Sequence, residues 1–277
     1  MTSMPTTSRA PRLVASDVDG TLLDHREKVT ERTRRAVLAM VGDGTPFVLS
    51  TGRPPRWISP VVDQLGFAPM CVCANGAVIY DAGTDRILDA EVLTGETLHW
   101  LADLAYQALP GCGLAAERVG ETAHDAATPQ FVSSPGYEHA WLNPDNTEVS
   151  LAEVIDVPAV KLLIRLSSAS SGDMVAALAP LVDGRADITF STDNGLIELS
   201  APGVTKASGL ALVAERLNVQ AADIAAFGDM PNDVPMLHMA GLGVAMGNAH
   251  PAAVAAADEI TTTNADDGVA RVLERWW

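Results

Sequence analysis

The sequence predicts an α/β protein: a doubly wound parallel-sheet core interrupted by an inserted α+β unit. Three observations carry this reading. Short apolar runs alternate with amphipathic stretches over residues 13–77, the same rhythm returns over 205–277, and the pattern between them changes character. With 277 residues the chain has room for two modest units, each with its own core. The expected division is 1–83 and 201–277 for the core and 84–200 for the insert.

Residues 1–12 are rich in Ser, Thr and Pro and lack an apolar stretch, so they read as a short tail and not as a signal peptide. Residues 13–16 form the first expected strand. If it ran on through Val18, Asp17 and Asp19 would share one face. A helix follows over 30–40, with Thr30 as N-cap and Val37, Leu38 and Met40 on its apolar side. Strands are expected at 47–50 and 70–73, with a short helix at 55–65 between them. In the middle region, 96–109 and 173–181 read as helices and 161–166, 188–191 and 196–199 as strands, while 129–144 reads as a long loop. The core then resumes with helices at 205–217, 235–240, 251–257 and 268–276 and strands at 224–227 and 242–246.

Composition narrows the function classes. Hydrophobic residues make up 48% and charged residues 19%, an ordinary globular balance, and no apolar run reaches membrane-span length. The net charge of −17 argues against nucleic-acid partners, whose phosphates need clustered Lys and Arg. It also means that an anionic substrate would need cations supplied locally. Three cysteines, Cys71, Cys73 and Cys112, in a chain without an export signal suggest a reducing, cytoplasmic setting, with the thiols as small buried hydrophobes. Trp276-Trp277 either seals the last helix against the core or marks a dimer contact, so a monomer or homodimer is expected.

Four polar signatures fall at expected strand ends or at a helix start, where ligands of such sheets bind. They are Asp17-Val18-Asp19-Gly20-Thr21, Ser50-Thr51-Gly52-Arg53, Gly203-Val204-Thr205-Lys206 and Gly228-Asp229-Met230-Pro231-Asn232-Asp233. Two carboxylates one residue apart repel unless a cation lies between them, which points to a hard metal such as Mg²⁺, to acid–base work, or to a solvated turn. Taken together the four supply a carboxylate nucleophile, a second carboxylate, a hydroxyl with nearby N–H groups, a fixed ammonium and an acidic metal clamp. Those are the parts phosphoryl transfer needs.

These motifs, in this order, resemble the haloacid dehalogenase (HAD) superfamily and its Cof-like phosphatases. Asn75-Gly76-Ala77, the run from Gly228 to Leu237, Ala240 to Ala249, and Asp267-Gly268-Val269-Ala270 strengthen the likeness. The resemblance implies Asp17 as the nucleophile that forms an aspartyl-phosphate and Asp19 as the general acid/base, which also offers its main-chain carbonyl to Mg²⁺. It implies Asp17 and Asp229 as carboxylate ligands of the metal and Asp233 around its water shell or on Lys206. Thr51, Gly52, Arg53, Lys206 and Asn232 would bind phosphate or substrate, with Arg53 equally open to a structural ion pair. Because the long insert lies between Thr51 and Lys206, it takes the type-two cap position and is expected to choose the substrate. Arg118, His124, Tyr137, His139 and Trp141 are candidate selectors. The expected activity is hydrolysis of small phosphorylated metabolites, sugar phosphates first. The rivals are a phosphotransferase using the same intermediate and a non-catalytic phosphometabolite-binding protein. The glycines of residues 241–247 have the wrong spacing for a dinucleotide fingerprint.

Overall fold

The computed structural model describes residues 9–125, 129–140 and 143–277. The chain opens with β1 (Leu13–Ser16), α1 (Glu31–Gly42), β2 (Phe47–Ser50), α2 (Ser59–Leu65), β3 (Met70–Cys73), β4 (Val78–Asp81) and β5 (Arg86–Ala90). The middle contributes α3 (Gly95–Ala108), β6 (Gly113–Glu117), β7 (Phe131–Ser133), β8 (Asn146–Glu148), α4 (Leu151–Ile155), β9 (Lys161–Arg165), α5 (Ser171–Leu178), β10 (Asp187–Thr189) and β11 (Leu196–Ser200). The chain closes with α6 (Lys206–Arg216), β12 (Ile224–Gly228), α7 (Val234–Met239), β13 (Leu242–Ala245), α8 (Pro251–Ala256), β14 (Glu259–Ile260) and α9 (Gly268–Leu273).

Two sheets result. The core sheet has the order β14-β13-β12-β1-β2-β3-β4-β5, parallel as far as β3 and antiparallel at β4 and β5. The cap sheet has the order β10-β11-β9-β6-β7-β8, antiparallel except between β7 and β8. Period-two alternation explains why the core sheet is covered on both faces. Leu13 and Ala15 of β1 pack with Leu210, Val213 and Leu237 on one side, while Val14 packs with Val37, Met40 and Leu273 on the other. Thr30 caps α1, accepting from the Thr33 N–H as its sequence position suggests. Among the described residues no helix is long and apolar enough to cross a membrane.

The strands expected at 13–16, 47–50 and 70–73 occupy those residues, but β1 does not continue through Val18. The chain turns into a tight helical loop over Val18–Leu22, so Asp17 and Asp19 share no strand face. Strand β7 lies inside the expected long loop, and β6 and β8 were not foreseen. Each is only three to five residues long, β8 reads Asn-Thr-Glu, and both take their strand character from pairing. Strand β5 belongs to the core sheet, so the crossing into the cap sheet comes after residue 90 and beyond the expected boundary at 83/84. The C-terminal tryptophans meet each other edge to face and pack against the core, and the Trp277 indole donates to Asp43 at 3.1 Å.

Candidate active site

The carboxyl ends of β1, β2, β3 and β12 meet at one edge of the core sheet, and the polar motifs follow them. Asp17 extends the β1 ladder by one bond, its N–H donating to the Phe227 carbonyl of β12 at 2.9 Å. Asp229 follows β12 directly. Between them stands Gly20, with φ of +81°, where a Cβ would overlap the Asp229 carboxylate. Only glycine meets both demands at that position. Thr21 donates to Asp229 Oδ1 at 3.2 Å, and Asn248 Nδ2 donates to the Gly20 carbonyl at 2.8 Å.

Lys206 enters from the first position of α6, whose N-terminus is fixed by a reciprocal Thr205–Ser208 cap. Gly76, at φ of +108°, lets the turn after β3 lie directly against the Thr205 carbonyl. The Lys206 ammonium, fully buried, donates to Asp17 Oδ1 at 2.5 Å and to Asp233 Oδ1 at 2.6 Å. The other oxygen of Asp233 accepts from the main-chain N–H groups of Asp229 and Met230, both at 2.9 Å. One oxygen each from Asp17, Asp229 and Asp233 falls within 4.8 Å of the others, and all three residues are buried. Three carboxylates thus face one ammonium.

The electrostatics follow from that imbalance. Burial pushes the Asp17 carboxyl well above its usual range; Lys206 opposes this, and Asp233, Asp229 and Asp19 reinforce it. Asp229 is pushed up to about 7, first by burial and then by Asp233. Burial acts to lower Lys206, but its two carboxylate partners outweigh burial and keep it charged. Three buried carboxylates against one ammonium leave two negative charges unbalanced, the charge of one divalent cation. All the donors are oxygens, as a hard cation prefers. The residues therefore fit a divalent metal.

The other expected site residues lie around this group. Asp19 is half-exposed and outside the carboxylate cluster, clasped by Arg53 through Nε at 2.8 Å and Nη2 at 2.5 Å. Arg53 is thus an ion-pair partner here. Thr51 is buried, its hydroxyl accepting from the Arg53 N–H at 3.1 Å, while the Gly52 carbonyl accepts from Lys161 of the cap at 2.7 Å. Asn232 donates to Asn75 at 3.0 Å. A cavity of about 700 Å³ opens over these groups between core and cap. Asp17, Asp19, Arg53 and Asn232 stand at one end, and Glu117, Phe131, Lys161 and Glu198 form part of the opposite wall.

None of the four described candidate selectors is among the residues lining that cavity. Arg118 turns to the Glu153 carbonyl at 2.5 Å, and Tyr137 and His139 stack behind Phe131. His124 also lies off the wall, and Trp141 lies outside the described residues. The wall is instead carried by residues the motifs did not point to. Arg56 of the core binds Glu117 of β6 through two hydrogen bonds, at 2.5 and 3.1 Å, and Asp145 at 2.9 Å. Lys161 opens β9 and Glu198 interrupts the apolar run of β11, the one sequence signal that marks them.

The haloacid dehalogenase-like hydrolase family matches residues 14–273. The chain belongs to this family. It is 28% identical over 269 residues to the 5-amino-6-(5-phospho-D-ribitylamino)uracil phosphatase YcsE of Bacillus subtilis, covering 96% of this chain and 95% of the relative. It is also 28% identical to phosphatase YwpJ of the same organism, over 95% and 99% of the two chains. A solved haloacid dehalogenase-like hydrolase from Bacteroides thetaiotaomicron is 26% identical, with a TM-score of 0.74 over 97% of this chain and 100% of that one. A HAD subclass IIB sugar phosphatase, 20% identical, shares the fold with a TM-score of 0.76 over 95% and 98%. The protein is a HAD-family phosphatase of the Cof-like group, a hydrolase of phosphomonoesters, with a parallel-sheet core and a separate cap sheet.

Proposed function

We propose that this phosphatase is Mg²⁺-dependent, works through an aspartyl-phosphate on Asp17, and acts on small phosphorylated metabolites, with sugar and alditol monophosphates as the leading class. The observation that carries this reading is the buried cluster of three carboxylates around one ammonium. Asp17 and Asp229 would hold the metal, with Asp233 already committed to Lys206 and two N–H groups. When bound, the ion supplies positive charge to the transferring phosphoryl group and lets Asp17 stay ionised.

Within the chain the work divides by position. A carboxylate oxygen of Asp17 attacks phosphorus as the bond to the leaving oxygen breaks. Asp19 leaves its Arg53 clasp, takes a proton from solvent and gives it to that departing oxygen. It then takes a proton from the water that cleaves the Asp17–phosphoryl bond and releases phosphate. Lys206 holds the Asp17 carboxylate in place and offsets charge on the phosphoryl oxygens, and Thr51 offers its hydroxyl to them. Water is kept from the nucleophile by the cap, whose strands β6, β9 and β11 place residues on the cavity wall. Support for the substrate class comes from the cavity's mixed polar and apolar wall, the ribityl phosphate in the name of YcsE, and the sugar phosphatase of like fold.

The test is Asp17→Asn with 4-nitrophenyl phosphate as substrate. Turnover is expected to fall by about four orders of magnitude while circular dichroism stays native. A chelator is expected to stop the wild-type enzyme and added Mg²⁺ to restore it. Undiminished turnover in the variant, or activity persisting in excess chelator, would overturn the assignment.

A further inference from the structure

We infer that the cap wall keeps a second negative charge out of the site. Glu117 and Glu198 neutralise the cations that would receive it and so restrict the enzyme to monophosphates whose leaving group carries no anion. The inference rests on the phosphatase reading above and names what that site rejects.

A pocket that accepts a second phosphate or a carboxylate needs a cation free to meet it, because an anion moved from water to a buried wall is destabilised unless it is paired. Among the described residues the cavity wall carries three cationic side chains, Arg53, Arg56 and Lys161. Arg53 lies at the reaction end, on Asp19. The other two are buried and belong to the opposite wall through their partners. Arg56 is held by both oxygens of Glu117 and by Asp145. Lys161 meets Glu198 at 2.5 Å and gives a second hydrogen bond to the Gly52 carbonyl at 2.7 Å. The other oxygen of Glu198 accepts from Asn75 Nδ2 at 3.0 Å. Two cations thus meet three carboxylates, and no positive charge is left over for a ligand.

The pairing is also hard to undo. Arg56 belongs to the core, whereas Glu117 and Asp145 belong to the cap. An anion that captured Arg56 would displace Glu117, strand a carboxylate only 5% exposed, and break the hydrogen bonds that tie cap to core at this point. At Lys161 it would strand Glu198 in the same way. An uncharged group meets neither obstacle. Ser191 and Thr192 bring hydroxyls to the same wall, and Phe131 and Leu163 bring apolar surface, so an alcohol, polyol or ring finds partners there. Selectivity of this kind comes from repulsion and lost pairing, not from an added attraction.

The test compares esters that differ by one charge: phenyl phosphate with 4-carboxyphenyl phosphate, glycerol 3-phosphate with 3-phosphoglycerate, and glucose 6-phosphate with 6-phosphogluconate. In every pair that the wild type turns over, kcat/KM for the neutral member is expected to exceed that for the charged one by about a hundredfold or more. The ratio should persist in about 0.5 M KCl, where repulsion by the net charge of −17 is screened within a few ångströms. Glu117→Gln and Glu198→Gln each keep an amide oxygen for the cation while removing the opposing charge. Each is expected to shrink the ratio by about tenfold or more, chiefly by raising kcat/KM for the charged ester. Three results would overturn the inference: a ratio near one in the wild type, a ratio abolished by salt, or variants in which it does not move, as when a loosened cap slows both members alike. A wild type inactive on every ester would instead remove the phosphatase reading beneath it.

Discussion

Two buried ionic networks meet at this cavity, and they are built on different terms. The first, Asp17–Lys206–Asp233, lies wholly within the core, with its members on the strand ends and helix start that the sheet brings together. The second bridges core and cap in two strands of contact: Arg56 to Glu117 and Asp145, and Lys161–Glu198 to Gly52 and Asn75. The core network exists whatever the cap does, whereas the bridging one keeps its full set of bonds only while the cap is down. Charge balance differs too. The core network carries more carboxylates than cations and calls for a metal, while the buried Lys161–Glu198 and Arg56–Glu117 contacts pair each cation with a carboxylate. On the reading proposed above, the first would carry the phosphoryl chemistry and the second would seat the cap over it.

The largest expected effect comes from breaking the core network. Lys206→Met removes the ammonium that bridges Asp17 and Asp233 and leaves two like charges in a buried site. At pH 8, without metal, a loss of about 3–5 kcal/mol is expected in urea unfolding, the usual penalty for a buried charge stripped of its partner. Turnover of 4-nitrophenyl phosphate should fall with it. A loss below about 1 kcal/mol would mean that the ammonium does not balance these carboxylates.

Next in size is the response of the core network to metal and pH. Asp229, held near 7 in the fold by burial and by Asp233, is near 4 when the chain is unfolded. A raised carboxyl pKa contributes stability that is complete below about pH 4 and is lost as pH rises through about 7. Asp17 is shifted in the same direction. The metal-free protein should therefore lose stability from these groups between those limits, and Mg²⁺, which binds the ionised form, should restore it. At about a hundredfold excess over Kd, Mg²⁺ is expected to raise the melting temperature by about 5–10 °C at pH 8 and by much less at pH 5. Equal shifts at both pH values would separate the metal from these carboxylates.

How legible each network was in the sequence follows from how it is built. Asp17, Thr51, Lys206 and Asp229 sit in short contiguous motifs at strand ends or a helix start, and strand periodicity places all four at one edge of the sheet. Glu117, Lys161 and Glu198 come from three cap strands, and their meeting depends on the register of β9 with β6 and β11. No local pattern encodes that register. Of the candidate selectors, Tyr137 and His139 fall in the stretch expected as a loop, yet their rings pack on Phe131 of β7 instead of lining the cavity. Asn75 was visible as part of a motif, but its role depends on Glu198, 123 residues away. Strand β5 escaped because it is an edge strand whose side chains are exposed or half-buried, leaving no buried face to read.

The smallest effect tests the outer end of the bridging network. Asp145 accepts from the Arg56 guanidinium at 2.9 Å and from the Trp57 indole at 2.8 Å, both on one oxygen. Burial alone would raise its carboxyl, but these hydrogen bonds, Trp57 first, outweigh burial and hold it below the usual range. A depressed carboxyl pKa gives stability that is present above about pH 4 and lost as pH falls through the folded value. With 41% of its side chain exposed, the pair is screened by water, and an amide oxygen can still accept both donors. Asp145→Asn is therefore expected to cost less than about 1 kcal/mol at pH 7, less still in high salt, and nothing by pH 2, where both chains carry an uncharged group. A cost above about 2 kcal/mol, or one that persists in acid, would show that Asp145 holds the cap by shape and not by charge. The bridging network would then be as obligatory as the core one, and the contrast between them would fail at its outer end.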